Sequence, residues 1–291
     1  MTTNSVKKLI REYKRELASQ YPEHEIMQML YLLFEEFIGW HKTRVHLSFD
    51  AIIPGKEILT FNRALTELVK GKPIQYVLGW TLFNGNKIVV NDSVLIPRPE
   101  TEELVLLIKS DLHLISHVNL SILDVGTGSG CISIALKRYF PGATITGIDK
   151  SQAAIDIARL NAGENSCDIA FMQSDILDQN NSYKFGIYNV IVSNPPYVTE
   201  SEKQFMHKNV LGFEPSVALF VPDSDPLLYY RAISAFASNH LTHQGYLYFE
   251  INEKYGLEVC QLIETCGLVN PEIFSDINGK NRFVRAFSAA I

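Results

Sequence analysis

From Ser121 onward the chain alternates short β-rich runs with helical stretches, and no other feature constrains its fold as strongly. SILDV (121–125), ATITGID (143–149), DIAFMQ (168–173), YNVIVS (188–193) and GYLYFEI (245–251) are the strand candidates. Strands separated by helices run parallel, and a parallel sheet needs helices on both faces to keep its apolar residues from water. EIFSDI (272–277) and RFVRAFS (282–288) supply two further strands around a turn at Asn278–Gly279. The expected core is therefore α/β.

The first 80 residues follow a different period. Val6, Leu9, Ile10, Tyr13 and Leu17 recur at helical spacing, with Lys7, Arg11, Lys14 and Arg15 off the stripe. A second helix starts after Pro22, with Glu23 and Glu25 against the positive end of its dipole. It carries Ile26, Met29, Leu30, Leu33, Phe34, Phe37 and Ile38 inward and ends at Gly39. A third is expected over Thr60–Gly71. Lys72-Pro73 closes the helical stretch, and the Asn84-Gly85 turn of FNGNKIVV marks a hairpin over about 80–96. After it, PRPETEELVLLIK opens a helix whose start carries Glu100, Glu102 and Glu103. The expected organisation is a helical domain over 1–79, a connecting β-hairpin over 80–96 and an α/β domain over 97–291.

Composition narrows the function classes. The 291 residues are 46% hydrophobic and 20% charged, the profile of a globular protein. MTTNSVKKLIREYK lacks the apolar core of a secretory leader, and no apolar run approaches the roughly 20 residues of a membrane span. A cytoplasmic address without membrane association follows as the expectation. Cys131, Cys167, Cys260 and Cys266 form no C-x-x-C pair, which argues for free thiols and no metal site. The net charge of −6 argues against affinity built on neutralising phosphates, so no stable nucleic-acid partner is expected.

The first strand of the alternating region runs directly into GTGSG, placing Gly126, Thr127, Gly128, Ser129 and Gly130 where a turn opens a helix. Glycines let backbone and ligand approach without an intervening Cβ. Dinucleotide sites favour G-x-G-x-x-G and a pyrophosphate on the helix N-terminus. Here the pattern is G-x-G-x-G preceded by Asp124, which suits a phosphate-free ligand with a cationic amino-acid end, such as S-adenosylmethionine. Asp149, ending the second strand, is placed to accept from both ribose hydroxyls. Asp175 could accept from the adenine amino group, with Ile176 packing on the ring. Each aspartate alone could equally cap a helix or a turn. All three together, at the carboxyl ends of strands where such sheets bind ligands, favour the site.

Asn194, Pro195, Pro196 and Tyr197 follow the strand YNVIVS. A double proline can simply end a strand. The flanking amide and ring suggest more. An amide or aromatic amino nitrogen is a poor nucleophile because its lone pair is delocalised. Held by the Asn194 side-chain oxygen and the Pro195 carbonyl, each accepting one N–H, such a nitrogen is oriented and its developing positive charge stabilised. Tyr197 offers a flat face for stacking. Asn194, Pro195 and Tyr197 are thus the candidate catalytic residues, and Asn194 through Tyr197 the candidate substrate-binding segment. The arrangement selects planar NH₂ groups without separating glutamine from adenine or cytosine.

With these residues in view, the chain resembles the release factor glutamine methyltransferases. The similarity runs through PIQYVLG (73–79), LIPRPETEELV (95–105), LDVGTGSGCISIAL (123–136), IVSNPPYV (191–198) and EPSVAL (214–219). The resemblance implies a Rossmann-like class I S-adenosylmethionine methyltransferase sheet with a small N-terminal helical domain. It implies cofactor contacts from Gly126–Gly130, Asp149, Asp175, Ile176 and Asn194, with S-adenosylhomocysteine as product. The implied substrate is the glutamine of the Gly-Gly-Gln motif in class 1 peptide release factors, docked by the helical domain. The Arg98–Glu102 segment is expected to wall the site. In one place the chain departs from the family: Asn252 stands where a glycine usually follows the acidic residue of the fifth strand, and Glu250 is left outside the candidate site. Two rival readings are an amino-group methyltransferase of nucleic acid and a binding protein that has lost catalysis.

Overall fold

The computed structural model describes residues 4–113, 119–178 and 185–289; the first three residues of the start examined for a leader lie outside them. The chain forms two compact units, Met1–Gly79 with His207–Phe213, and Trp80–Met206 with Glu214–Ile291.

In the first unit α1 (Val6–Leu17) is capped by Ser5, whose side chain accepts from the Lys8 amide. Its stripe of Val6, Leu9, Ile10, Tyr13 and Leu17 is buried. α2 (Glu23–Ile38) begins after Pro22 and stops at Gly39, whose φ of 66° lets its amide turn back to the Glu35 carbonyl. A short α3 (Lys42–Leu47) leads to α4 (Gly55–Val69), which starts five residues before the expected Thr60. Lys72-Pro73 does not close the helical stretch outright, because α5 (Ile74–Leu78) follows. Phe34 and Phe61 are fully buried with ring centroids 4.9 Å apart, and burying each contributes about 2–3 kcal/mol. The Tyr13 hydroxyl donates to the Phe61 carbonyl at 2.6 Å, which satisfies the one polar atom of an otherwise buried ring.

The second unit opens with β1 (Trp80–Phe83) and β2 (Asn86–Val89), paired antiparallel around Asn84 and Gly85. Both turn residues have positive φ, as a tight hairpin turn requires. The strands end at Val89, so 90–96 is not hairpin; it is a connecting segment leading into α6 (Pro99–Leu112). The main sheet comprises β3 (Ser121–Val125), β4 (Thr144–Asp149), β5 (Ala170–Gln173), β6 (Tyr188–Ser193), then β9 (Leu241–Glu250), β10 (Leu268–Ser275) and β11 (Asn281–Ser288). Its order is β10-β11-β9-β6-β3-β4-β5. β3, β4, β5, β6 and β9 run parallel, while β11 is antiparallel to both neighbours. The sheet is thus α/β as expected, with an antiparallel edge. Between β3–β5 run α7 (Cys131–Tyr139) and α8 (Gln152–Glu164).

Strand pleating sorts the core into two faces. Leu123, Val125, Ile191 and Leu247 pack with α10 (Leu228–His240) and α11 (Gly256–Thr265). Tyr248, on the opposite face, donates its hydroxyl to Asp111 of α6 at 2.9 Å. Between β6 and α10, a two-residue parallel pair, β7 (Val198–Thr199) and β8 (Phe220–Val221), brackets α9 (Lys208–Phe213). That helix belongs to the first unit, where Asn209 Nδ2 donates to the Tyr21 hydroxyl at 2.6 Å. Strand order reverses about β3, with β4 and β5 to one side and β6 and β9 to the other, so a crevice opens at the carboxyl ends of β3 and β6.

Candidate active site

The crevice holds a cavity built wholly from the second unit. The turn after β3 contributes Gly126, Thr127, Gly128 and Ser129, β4 ends in Asp149, and Asp175 and Ile176 follow β5. Asn194, Pro195 and Pro196 follow β6 and complete the same wall. Two predicted residues do not line it. Gly130 caps α7 at φ 79°, and a Cβ there would meet Ala158 at 3.2 Å, so it serves packing. Tyr197 packs against the sheet core and donates its hydroxyl to Glu250 Oε1 at 3.1 Å.

The glycine turn is held by carboxylates. Asp149 Oδ2 accepts from the Gly128 amide at 3.0 Å, and Oδ1 from the Ser151 amide at 2.9 Å. Burial raises the Asp149 carboxyl above its ordinary value while these amides oppose the shift. Gly128, at φ 53°, would point a Cβ into open space with only the Gly126 carbonyl at 4.0 Å, leaving a cradle at the wall. Asp124 is fully buried behind the turn: its Oδ2 accepts from the Thr127 and Ser133 hydroxyls, each at 2.7 Å, and from the Ser133 amide. Its Oδ1 has no hydrogen-bond partner among the described residues. Burial pushes this carboxyl up to about 6, the three donors restraining it. Carboxylates on the wall, a buried carboxyl behind it with one oxygen unpartnered among the described residues, and the cradle at Gly128 fit a cationic, phosphate-free ligand such as S-adenosylmethionine.

Sequence reasoning missed part of the lining. Of the Arg98–Glu102 segment, Arg98 and Thr101 face the cavity, joined by Ser93, Val94, Leu95 and Pro97 from the connecting segment. Glu102 instead accepts from the Asn84 amide at 2.7 Å, tying the hairpin to α6. Arg98 is held by Glu214, whose Oε1 accepts from it at 2.6 Å while Oε2 accepts from the Ile96 amide at 3.2 Å. The EP of EPSVAL thus carries a buried carboxylate that fixes the cavity's front edge. Gly147, in β4, was not singled out, yet a Cβ there would sit 2.6 Å from Phe171 and 2.9 Å from Thr127 Oγ1. Cys131 also lines the cavity, but burial pushes its thiol up to about 12, so it stays neutral and unreactive.

Asn194 is the residue best placed for chemistry. Its Nδ2 donates to Thr101 Oγ1 at 3.1 Å, and Thr101 Oγ1 donates to Glu250 Oε2 at 2.7 Å. Glu250, excluded at the sequence level, is therefore bound to both Thr101 and Tyr197. Burial raises its carboxyl above the ordinary range, against the two hydroxyl donors and the nearby Arg282 cation. Asn252 does not disturb this arrangement: its Nδ2 donates to the Tyr197 carbonyl at 3.3 Å and to Glu202 at 3.1 Å.

A glycine turn opening onto the switch point of this sheet, with acidic strand ends and an Asn-Pro-Pro-Tyr run beside them, defines an S-adenosylmethionine-dependent methyltransferase. The methyltransferase small domain matches residues 106–211, and the PrmC N-terminal domain matches residues 8–79. The chain is 43% identical to a release factor glutamine methyltransferase of Flavobacterium psychrophilum, over 95% of this chain and 98% of that protein. It is 38% identical to that of Bacteroides thetaiotaomicron, over 94% and 96%. The chain belongs to the release factor glutamine methyltransferase family. Among solved structures, a 16S rRNA N2 G1207 methyltransferase of T. thermophilus, in complex with AdoMet and guanosine, shares the fold. Its TM-score is 0.50 at 16% identity, covering 72% of this chain and 49% of that one. Among the described residues no helix is long and apolar enough to cross a membrane.

Proposed function

We propose that this enzyme methylates the side-chain amide nitrogen of the glutamine in the Gly-Gly-Gln motif of class 1 peptide release factors. The observation that carries the reading is the Asn194 amide: its nitrogen donates to Thr101 Oγ1, which commits that end of the amide, and Asn194 lines a cavity whose other wall suits S-adenosylmethionine.

When bound, S-adenosylmethionine supplies an electrophilic methyl group on a sulfonium sulfur. The turn residues Gly126, Thr127, Gly128 and Ser129, with Asp149, Asp175 and Ile176, would hold it, Asp149 placed to accept from the ribose hydroxyls and Asp175 from the adenine amino group. Asn194 Oδ1 and the Pro195 carbonyl each accept one N–H of the glutamine amide, orienting its nitrogen and stabilising the positive charge it gains. Pro195 and Pro196 keep both acceptors in place, since their fixed φ leaves the segment little freedom. No strong general base is needed, because the methylated nitrogen is acidic enough to release its proton to water. The helical unit docks the release factor. Supporting this reading, the matched relatives are named for this substrate class and align over nearly the whole chain.

The test is peptide mass spectrometry of a recombinant release factor incubated with the enzyme and S-adenosylmethionine. A single methyl gain on the Gly-Gly-Gln glutamine is expected, and Asn194→Ala should slow it strongly. No gain, with cofactor binding intact, would overturn the substrate assignment in favour of nucleic-acid amino groups.

A further inference from the structure

Four side chains from three places in the sequence form one hydrogen-bonded line that runs from the cavity wall into the interior. Asn194 Nδ2 meets Thr101 Oγ1, Thr101 Oγ1 meets Glu250 Oε2, and the Tyr197 hydroxyl meets Glu250 Oε1. Thr101 and Glu250 are buried, with 3% and 1% of their surface exposed, so water does not compete for these bonds.

The direction of the line follows from what each group can do. An ionised Glu250 only accepts, so the single Thr101 hydroxyl proton goes to it. Thr101 Oγ1 then has only lone pairs left to offer, and the group facing it from Asn194 has to be the NH₂. The asparagine oxygen consequently points the other way. An amide turned by 180° would set its oxygen against the Thr101 lone pairs and present NH₂ to the cavity, where an incoming substrate NH₂ would meet a donor instead of an acceptor. Asparagine carries no intrinsic preference between the two orientations; the partner decides.

We propose that Thr101, backed by Glu250, is a positioning residue that fixes which end of the Asn194 amide meets the substrate. This rests on the reading that Asn194 receives the glutamine amide, and it adds a determinant on α6 and one at the end of β9. Tyr197 contributes by holding the second oxygen of Glu250, which keeps the first aimed at Thr101. Asn252 contributes one step further back through the Tyr197 carbonyl.

The test uses the full-length enzyme with Thr101→Val, which removes the hydroxyl at nearly constant shape, and Thr101→Ser, which keeps it. Loss of one oriented hydrogen bond predicts a kcat about 10- to 100-fold lower for the valine variant, with S-adenosylmethionine affinity and release-factor KM little changed. Serine should restore most of the rate. In an Asn194→Ala background the valine change should cost almost nothing, because residues that act through one another are not additive; additive losses would overturn the relay. Nuclear magnetic resonance of the Asn194 side-chain NH₂ gives a readout that needs no substrate. Thr101→Val should move those signals and Thr101→Ser should leave them near the wild-type positions; unmoved signals in the valine variant overturn the proposal. If they move as expected while the wild-type enzyme fails to methylate a release factor, the relay stands and the substrate assignment falls.

Discussion

The Asn161 side chain grips Val89 by both of its backbone groups, accepting from the Val89 amide at 2.7 Å and donating to its carbonyl at 2.9 Å. The same Nδ2 also donates to the Ser129 carbonyl at 2.9 Å. One fully buried amide on α8 thereby joins the end of the hairpin to the glycine turn. Asn161→Ala leaves three backbone groups without this partner and is expected to destabilise the protein by about 2–4 kcal/mol. Urea unfolding measures it; a loss below half a kcal/mol would mean that water replaces the amide without strain.

Asp124 makes a pH-dependent contribution of definite sign. Its carboxyl rises from an ordinary 3.8 to about 6 on folding, so the folded state binds that proton more tightly than the unfolded one. Its contribution is most favourable below about pH 4 and is lost as pH rises through 6, a change of about 3 kcal/mol. Asp124→Asn lacks this titration. The stability of the asparagine variant relative to wild type should therefore climb between pH 4 and 6, and parallel profiles would contradict the assignment.

Asp149 both pins the glycine turn and lines the cavity. Asp149→Ala is expected to weaken S-adenosylmethionine binding by about 1–3 kcal/mol, measured by calorimetry. An unaltered dissociation constant would remove Asp149 from the ribose site.

Glu214 is buried and serves both Arg98 and the Ile96 amide. Because Arg98 is a third exposed, solvent recovers part of the loss when the pair is broken. Glu214→Ala should cost about 1–2 kcal/mol, and Glu214→Gln less, since its amide oxygen still accepts from Ile96. Equal losses in the two variants by thermal unfolding would show that the charge matters more than the acceptor.

What could be read in the sequence was what repeats locally. The stripe from Val6 to Leu17, the Asn84-Gly85 turn and the strand candidates from Ser121 onward emerged because their periods are set by neighbours a few residues away. β9 was read from Gly245 although it begins at Leu241, because Gln244, at φ 59°, interrupts the alternation. Within the cavity, the glycine turn and Asn194 carry recognisable local patterns. Thr101 and Glu250 do not: the bond between them spans 149 positions, and nothing near either residue signals the other. Asn252 turned attention away from Glu250, although its side chain supports the same cluster from behind. The placement of 207–213 in the first unit was likewise hidden, since Asn209 meets Tyr21 across 188 positions.

That placement bears on how such a protein can be inherited. The segment His207–Phe213 is encoded within the catalytic half but seated among the first 79 residues. Transplanting Met1–Gly79 alone onto another enzyme would leave the seat of Asn209 beside Tyr21 and Gly71 uncovered, and excising it would strip a helix of its support. Recombination at a single breakpoint near Gly79 therefore separates partners. The helical unit is complete only with this distant segment of the chain.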